Sequence, residues 1–259
     1  MTLVVPERGK VLGASVLGNR PIYPASVVKL FYMAAVQAWL ETGKLRPTAE
    51  LRSALAAMIG QSSNDATNHI VDLLTGTTGG PEMPKPAFRV WLKRRRSINR
   101  YIASWGYPEF AGINLTQKTW GERPYGRERQ ARFAVPDNRN LLSTDAVARL
   151  LLAIERGQAI NRRRSAAMMK LMARPIPEKA DPNVPFDQVL GFLGEGLPRG
   201  SRLWSKAGWT SHVKHDAAIV RLPDGRKFIL AVFTSGQAAA RSRRILPFIA
   251  RRVVAALPP

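Results

Sequence analysis

The chain has 259 residues, 45% of them apolar, which suffices for one large domain or two closely packed lobes with a real core and excludes a disordered tail. Lys and Arg number 40 against 18 Asp and Glu; the net charge of +22 attracts nucleic acid, anionic lipid or an acidic cell-wall polymer, and bears on encounter rather than on fold. There is no cysteine, so disulfides, thiolate metal sites and a Cys nucleophile are excluded, and His69, His212 and His215 lack zinc-type spacing; no metal or cofactor is expected.

The first ten residues, MTLVVPERGK, are too short and too polar for a signal peptide, and no apolar run is long enough for a membrane span. The expected location is periplasmic or secreted if an export signal has been removed, and cytoplasmic otherwise. Residues 11–16 read as a strand, and apolar periodicity predicts a helix over 26–40 that stops at Gly43. Further helices are predicted over 48–59, 63–74, 98–105, 143–157 and 165–172, with linker-like stretches at 75–86 and 174–185. The last third changes character: RLWSKAGW, HDAAIVRL and KFILAVFTS are β-rich runs, PDG at 223–225 marks a hairpin, and a closing amphipathic helix spans 239–256. This order predicts an antiparallel sheet completed by the N-terminal strand, with a helical lobe inserted between. Both chain ends then meet on the sheet. Arginines cluster at 94–96, at 162–164 and at 241, 243 and 244, and read first as solvated surface; the basic segment 84–96 reads as a solvated helix or, more sharply, as an anionic-polymer contact.

Chemistry concentrates in three short elements. Ser26 and Lys29, in YPASVVKLFYMAAV, stand three residues apart at the head of an apolar helix, on one face. A lysine buried there loses preference for its charged form and can accept the serine proton, while the helix N-terminus offers free N–H groups to an oxyanion. Ser-x-x-Lys alone is a weak signal, because serine at a helix start is also an ordinary N-cap. Ser62 and Asn64 in QSSNDATN can both point into a cleft from a helix entry. Lys206 and Gly208 in WSKAGWT put a fixed cation on a strand beside a glycine that lets a substrate backbone approach. The three in this order are far rarer than any one of them.

With these elements the chain resembles the penicillin-interacting serine hydrolases, most closely the class A β-lactamase-like family, over nearly its whole length. The resemblance implies a single β-lactamase-like domain over 1–259, of α/β (α+β) class. In it a five-stranded antiparallel sheet is flanked by helices; the α/β lobe comprises about 1–45 and 195–259, and an all-helical lobe about 46–194. It further implies that Ser26 is acylated, Lys29 accepts or relays its proton, and Ser62 shuttles a proton to the leaving nitrogen. Asn64 anchors a substrate amide, Lys206 partners a substrate carboxylate, and the N–H groups of Ser26 and Trp209 form the oxyanion hole. The deacylating base falls at Glu128, counted back from Pro136, with Glu122 in reserve; a surface ion-pair member is the plainer reading of Glu128.

The chain departs from the family pattern at several positions. Ser63 and Ala207 replace the middle residues of two motifs, Arg132 stands where a water-holding asparagine is usual, and Trp209 narrows the cleft edge. Lys214 or His215 takes the place of a carboxylate-binding arginine, His215 being equally an ordinary strand residue. The expected activity is acyl-enzyme hydrolysis of a β-lactam or a related peptide-like amide or ester, by a monomer. The alternatives are a penicillin-binding D-Ala-D-Ala peptidase, or a non-catalytic polyanion-binding module on the same fold.

Overall fold

The computed structural model describes residues 1–7, 10–119, 123–135, 138–176 and 187–258. The chain opens with a strand pair, β1 (Thr2–Pro6) and β2 (Val11–Ser15). A short 3-10 turn, Ala25–Val28, then runs into α1 (Lys29–Glu41). Seven helices follow: α2 (Ala49–Gly60), α3 (Asn64–Thr75), α4 (Lys85–Arg95), α5 (Ser97–Ala103), α6 (Gly126–Ala134), α7 (Thr144–Glu155) and α8 (Arg162–Met172). The chain returns to the sheet through β3 (Ala173–Arg174), a 3-10 turn at Leu193–Gly196, β4 (Arg202–Trp209), β5 (Val213–Arg221) and β6 (Lys227–Ser235), and closes with α9 (Gln237–Arg241) and α10 (Ile245–Ala256).

The antiparallel sheet runs β2-β1-β6-β5-β4-β3. It has six strands where five were expected; the sixth is the two-residue β3, whose Ala173 and Arg174 pair with Trp204 and Leu203 of β4. β1, absent from the sequence reading, pairs with β6 through Thr2 to Val4, so the first and last strands lie side by side. The β5–β6 turn sits at Pro223–Gly225, where the Leu222 N–H donates to the Arg226 carbonyl over 2.8 Å and Gly225 takes φ +89°.

Alternation along the strands separates two cores. Ala217, Ile219, Ile229 and Ala231 face the helical layer, while Ala207, Ala218, Val220, Phe228, Leu230 and Val232 face α10 and the Leu193–Gly196 turn. α1 runs through the inside of the helical layer until its last turn: Leu30 through Val36 are all fully buried, as expected of a helix that is apolar on every side, and Glu41 is exposed. Side-chain caps start four helices, at Thr48, Ser63, Ser143 and Asn161. The closing helix expected over 239–256 is broken at Ser242, whose hydroxyl accepts from the N–H groups of Arg244 and Ile245 and so begins a new helix.

Candidate active site

Ser26 lies in the 3-10 turn rather than in an α-helix, and Lys29 is the residue where that turn passes into α1. In a 3-10 turn residues i and i+3 eclipse, so the two side chains leave the turn one above the other. The backbone is strained on both sides of the cleft: Ala25 has φ +46° and Ser62 φ +58°. Left-handed angles at non-glycine residues persist only where the surroundings impose them. Gly208 shows how closely β4 presses on this turn: a Cβ there would sit 2.7 Å from the Ser26 nitrogen and 2.9 Å from the Pro24 carbonyl oxygen. Any side chain at 208 would push the serine turn away from the strand.

Lys29 is fully buried at the end of an apolar helix, and its Nζ donates to the Ser62 carbonyl (2.6 Å), Asn64 Oδ1 (2.9 Å) and Ser62 Oγ (3.2 Å). Burial pushes its pKa down to about 7, so the amine is available in both protonation states near neutrality. Among the described residues Ser26 Oγ is not an acceptor of Lys29. Lys206, also fully buried, donates to Ser62 Oγ (3.0 Å), Gln188 Oε1 (2.5 Å) and its neighbour's Ala207 carbonyl (2.7 Å). Burial, reinforced by the charges of Lys29 and Arg174 and opposed by Asp216, holds Lys206 well below the ordinary lysine range. The Ser62 hydroxyl oxygen thus receives hydrogen bonds from two lysines, leaving its own proton to be donated outward.

Ser26, Gln61, Ser62, Ser63, Asn64 and Trp209 line one cavity of about 320 Å³. Trp209, 37% exposed, forms its rim and leans on Phe192 with ring centroids 5.5 Å apart. The side chain of Ser63 caps α3, which accounts for a hydroxyl at that position. Ala207 packs into the apolar layer against α10, away from the cavity.

The remaining sequence candidates lie elsewhere. Lys214 donates to the Ser242 carbonyl over 3.0 Å and rests on the Phe192 ring, so it does not line the cavity. His215 is buried and stacked on Phe233; Thr234 N–H donates to its Nδ1 (3.1 Å), which leaves Nε2 to donate to the Tyr23 carbonyl (3.0 Å). Burial lowers its pKa to about 4, so it is a neutral strand residue. Glu128 lies in α6, not on a loop, and is buried; its Oε1 accepts from Arg95 over 2.6 Å. Arg95 is itself fully buried, unlike its solvated neighbours Arg94 and Arg96, and also reaches Asp72 (3.3 Å) and the Trp91 ring (4.7 Å). Lys118 completes this internal cluster through a 2.5 Å pair with Asp72. Burial raises the Glu128 carboxyl above its usual range although Arg95 and Lys118 pull it down. Arg132 lies in the same helix, and Glu122 and Pro136 fall outside the described residues.

Two contributors escaped the sequence reading. Gln188 ties Lys206 to the Gly60 carbonyl, the latter over 2.8 Å. Thr119 is clamped through its backbone by Asn68, which accepts from its N–H (2.8 Å) and donates to its carbonyl (3.3 Å), and its hydroxyl lies 3.5 Å from the Asn64 carbonyl. The loop segment that abuts Asn64 therefore presents a threonine.

A model of the beta-lactamase enzyme family matches residues 47–257; Ser26 and Lys29 precede that span. No curated protein sequence matches the chain. Among solved structures it is similar to a β-lactamase from Sphaerobacter thermophilus (22% identity, TM-score 0.67, covering 100% of this chain and 92% of that one). It is likewise similar to an ancestral class A β-lactamase (20%, TM-score 0.68, 99% and 94%) and to PBP-A (20%, TM-score 0.65, 98% and 88%). A PBP-A variant solved as its acyl-enzyme complex with penicillin-G shows the same likeness (20%, TM-score 0.67, 98% and 89%). With a family match over most of its length and the same fold throughout, the chain belongs to the β-lactamase enzyme family.

Proposed function

We propose that the protein is a serine hydrolase that acylates Ser26 with a β-lactam or a related peptide-like amide or ester. The observation that carries this reading is the Ser62 hydroxyl held between the buried amines of Lys29 and Lys206, in the cavity that Ser26 also lines. Ser26 Oγ bonds to the substrate carbonyl carbon as its proton passes to neutral Lys29, and the N–H groups of Ser26 and Trp209 receive the oxyanion. The carbon–nitrogen bond then breaks as Ser62 gives its proton to the leaving nitrogen and regains one from Lys29. The Asn64 amide, its oxygen already engaged by Lys29, donates from its nitrogen to the substrate amide, and Lys206 supplies positive potential toward a substrate carboxylate. Water then hydrolyses the ester at Ser26.

A second reading, a penicillin-binding D-Ala-D-Ala peptidase with a long-lived acyl-enzyme, is favoured by one observation. Glu128 is engaged by Arg95 and does not line the Ser26 cavity. One experiment serves both readings: chromogenic cephalosporin turnover followed alongside intact-protein mass spectrometry, with Ser26→Ala as control. Turnover without a persistent adduct supports the hydrolase, and a persistent adduct with little turnover supports the peptidase. Adduct formation or turnover by Ser26→Ala would remove the nucleophile.

A further inference from the structure

Away from the Ser26 cavity, α4, α5 and the segment 110–113 enclose a groove of about 680 Å³. Arg89, Lys93, Arg96 and Arg100 line it, spaced four, three and four residues apart, which is one face of a helix carried across the α4–α5 junction. All four side chains are exposed, and among the described residues none is ion-paired. Among the described residues no carboxylate lines the groove; the nearest of them in sequence, Glu109, is held by Arg149 at 2.6 Å. Some arginines elsewhere are ion-paired in this way, as Arg129 is with Glu82 and Arg164 with Glu41. Phe110, buried, and Ile113 are the large apolar residues on the opposite wall, so among its described residues the groove offers no exposed ring on which a base could stack.

We propose that this groove docks the backbone of a linear, base-free phosphate polymer, of the kind an anionic wall polymer presents. Four unpaired cations in a row match a chain that carries repeated charge, and single-stranded nucleic acid sites combine such a row with aromatic stacking platforms, of which this groove has none among its described residues. The inference is independent of the chemistry assigned to Ser26.

The test measures binding of fluorescently labelled inorganic polyphosphate by anisotropy across a salt series. The parent is compared with a variant carrying Arg89→Gln, Lys93→Gln, Arg96→Gln and Arg100→Gln, and with an equal-charge control carrying Arg46→Gln, Arg221→Gln, Arg251→Gln and Arg252→Gln. Loss of four phosphate contacts lowers the slope of log K against log salt by about 3 and weakens binding roughly a hundredfold or more near 0.1 M salt, whereas the control changes the slope by less than about 1. Circular dichroism and acylation by penicillin are expected to stay at the parental level. The half-variants Arg89→Gln with Lys93→Gln, and Arg96→Gln with Arg100→Gln, each give about half the slope change and serve if the full variant folds poorly. Equal losses in groove and control variants would overturn the site. Tighter binding of a single-stranded DNA with the same number of phosphates would overturn the base-free assignment.

Discussion

Replacing Glu128 by glutamine separates a structural from a catalytic role for that carboxylate. Arg95 is fully buried, Glu128 Oε1 lies 2.6 Å from it, Asp72 is the farther anion at 3.3 Å, and Nε and one terminal nitrogen of Arg95 have no hydrogen-bond partner. Removing one partner of a buried ion pair costs about 3–5 kcal/mol, because the other charge stays buried. Two features place this case at the lower end: glutamine keeps an acceptor oxygen, and the raised carboxyl pKa shows that desolvation already offsets part of the attraction. A loss of about 3 kcal/mol corresponds to about 6–12 °C in Tm for a chain of this size. The assay pairs thermal unfolding by circular dichroism with the lifetime of the penicillin adduct by intact mass. The expected outcome for Glu128→Gln is the lowered Tm with an adduct lifetime close to the parent's. An unchanged Tm with a lifetime lengthened about 100-fold or more, the contribution of a general base, would refute the reasoning.

Acylation by penicillin should rise with pH along a limb centred near 7, as Lys29 loses its proton, and a rate flat from pH 5 to 9 would remove Lys29 as the base. Gln188→Leu takes one acceptor from Lys206 and one donor from the Gly60 carbonyl; kcat/KM for acylation should fall about tenfold, equal to 1.4 kcal/mol, and a parental value would exclude the positioning role. Burial raises the Asp216 pKa to about 6 from an ordinary 3.8, so between these values the folded protein holds a proton the unfolded chain has lost, and this group's contribution to stability falls as pH rises through that window. Asp216→Asn should therefore be more favourable at pH 7 than at pH 4, relative to the parent, by about 2 kcal/mol in urea unfolding, and a difference independent of pH would contradict it. His215, with its pKa lowered to about 4, acts in the opposite sense: unfolded chains bind its proton first, so its contribution is lost as pH falls from about 6.5 to 4, and the Asp216→Asn protein should show that acid sensitivity undisguised.

What the sequence discloses follows from how each feature is encoded. α1 is a nearly continuous apolar run, α3 and α7 carry apolar patterns behind the caps Ser63 and Ser143, and the predicted limits of all three lie within a few residues of the observed ones. Ser26, Lys29, Ser62, Asn64 and Lys206 stood out as candidates because the proposed chemistry requires particular residue types in a particular order, and the fold brings these five side chains together around Ser62. α6 was not: GRERQARFA is mostly polar, its one large apolar residue, Phe133, is exposed, and its two buried residues are Ala131 and Glu128, the latter buried against an arginine 33 positions away, which leaves no local periodicity. Gln188 and Thr119 were invisible for the same reason, since their roles are set by Lys206 and Asn68 across long chain separations. β1 went unread because five residues at the chain start show only a weak alternation; their strand character comes from pairing with β6 at the other end.

The edge strand β2 has a consequence for the protein's behaviour in concentrated solution. All five of its residues are exposed, and Val11, Leu12, Val16 and Leu17 stand between 42% and 72% open, so one rim of the sheet offers unsatisfied backbone groups beside apolar side chains. Copies that each carry +22 repel one another, which opposes such rim-to-rim approach, and this force fades beyond about 10 Å at 0.1 M salt. Colloidal stability is therefore conditional on the ionic surroundings: a stoichiometric polyanion or high salt removes the repulsion and leaves rim-to-rim strand addition unopposed.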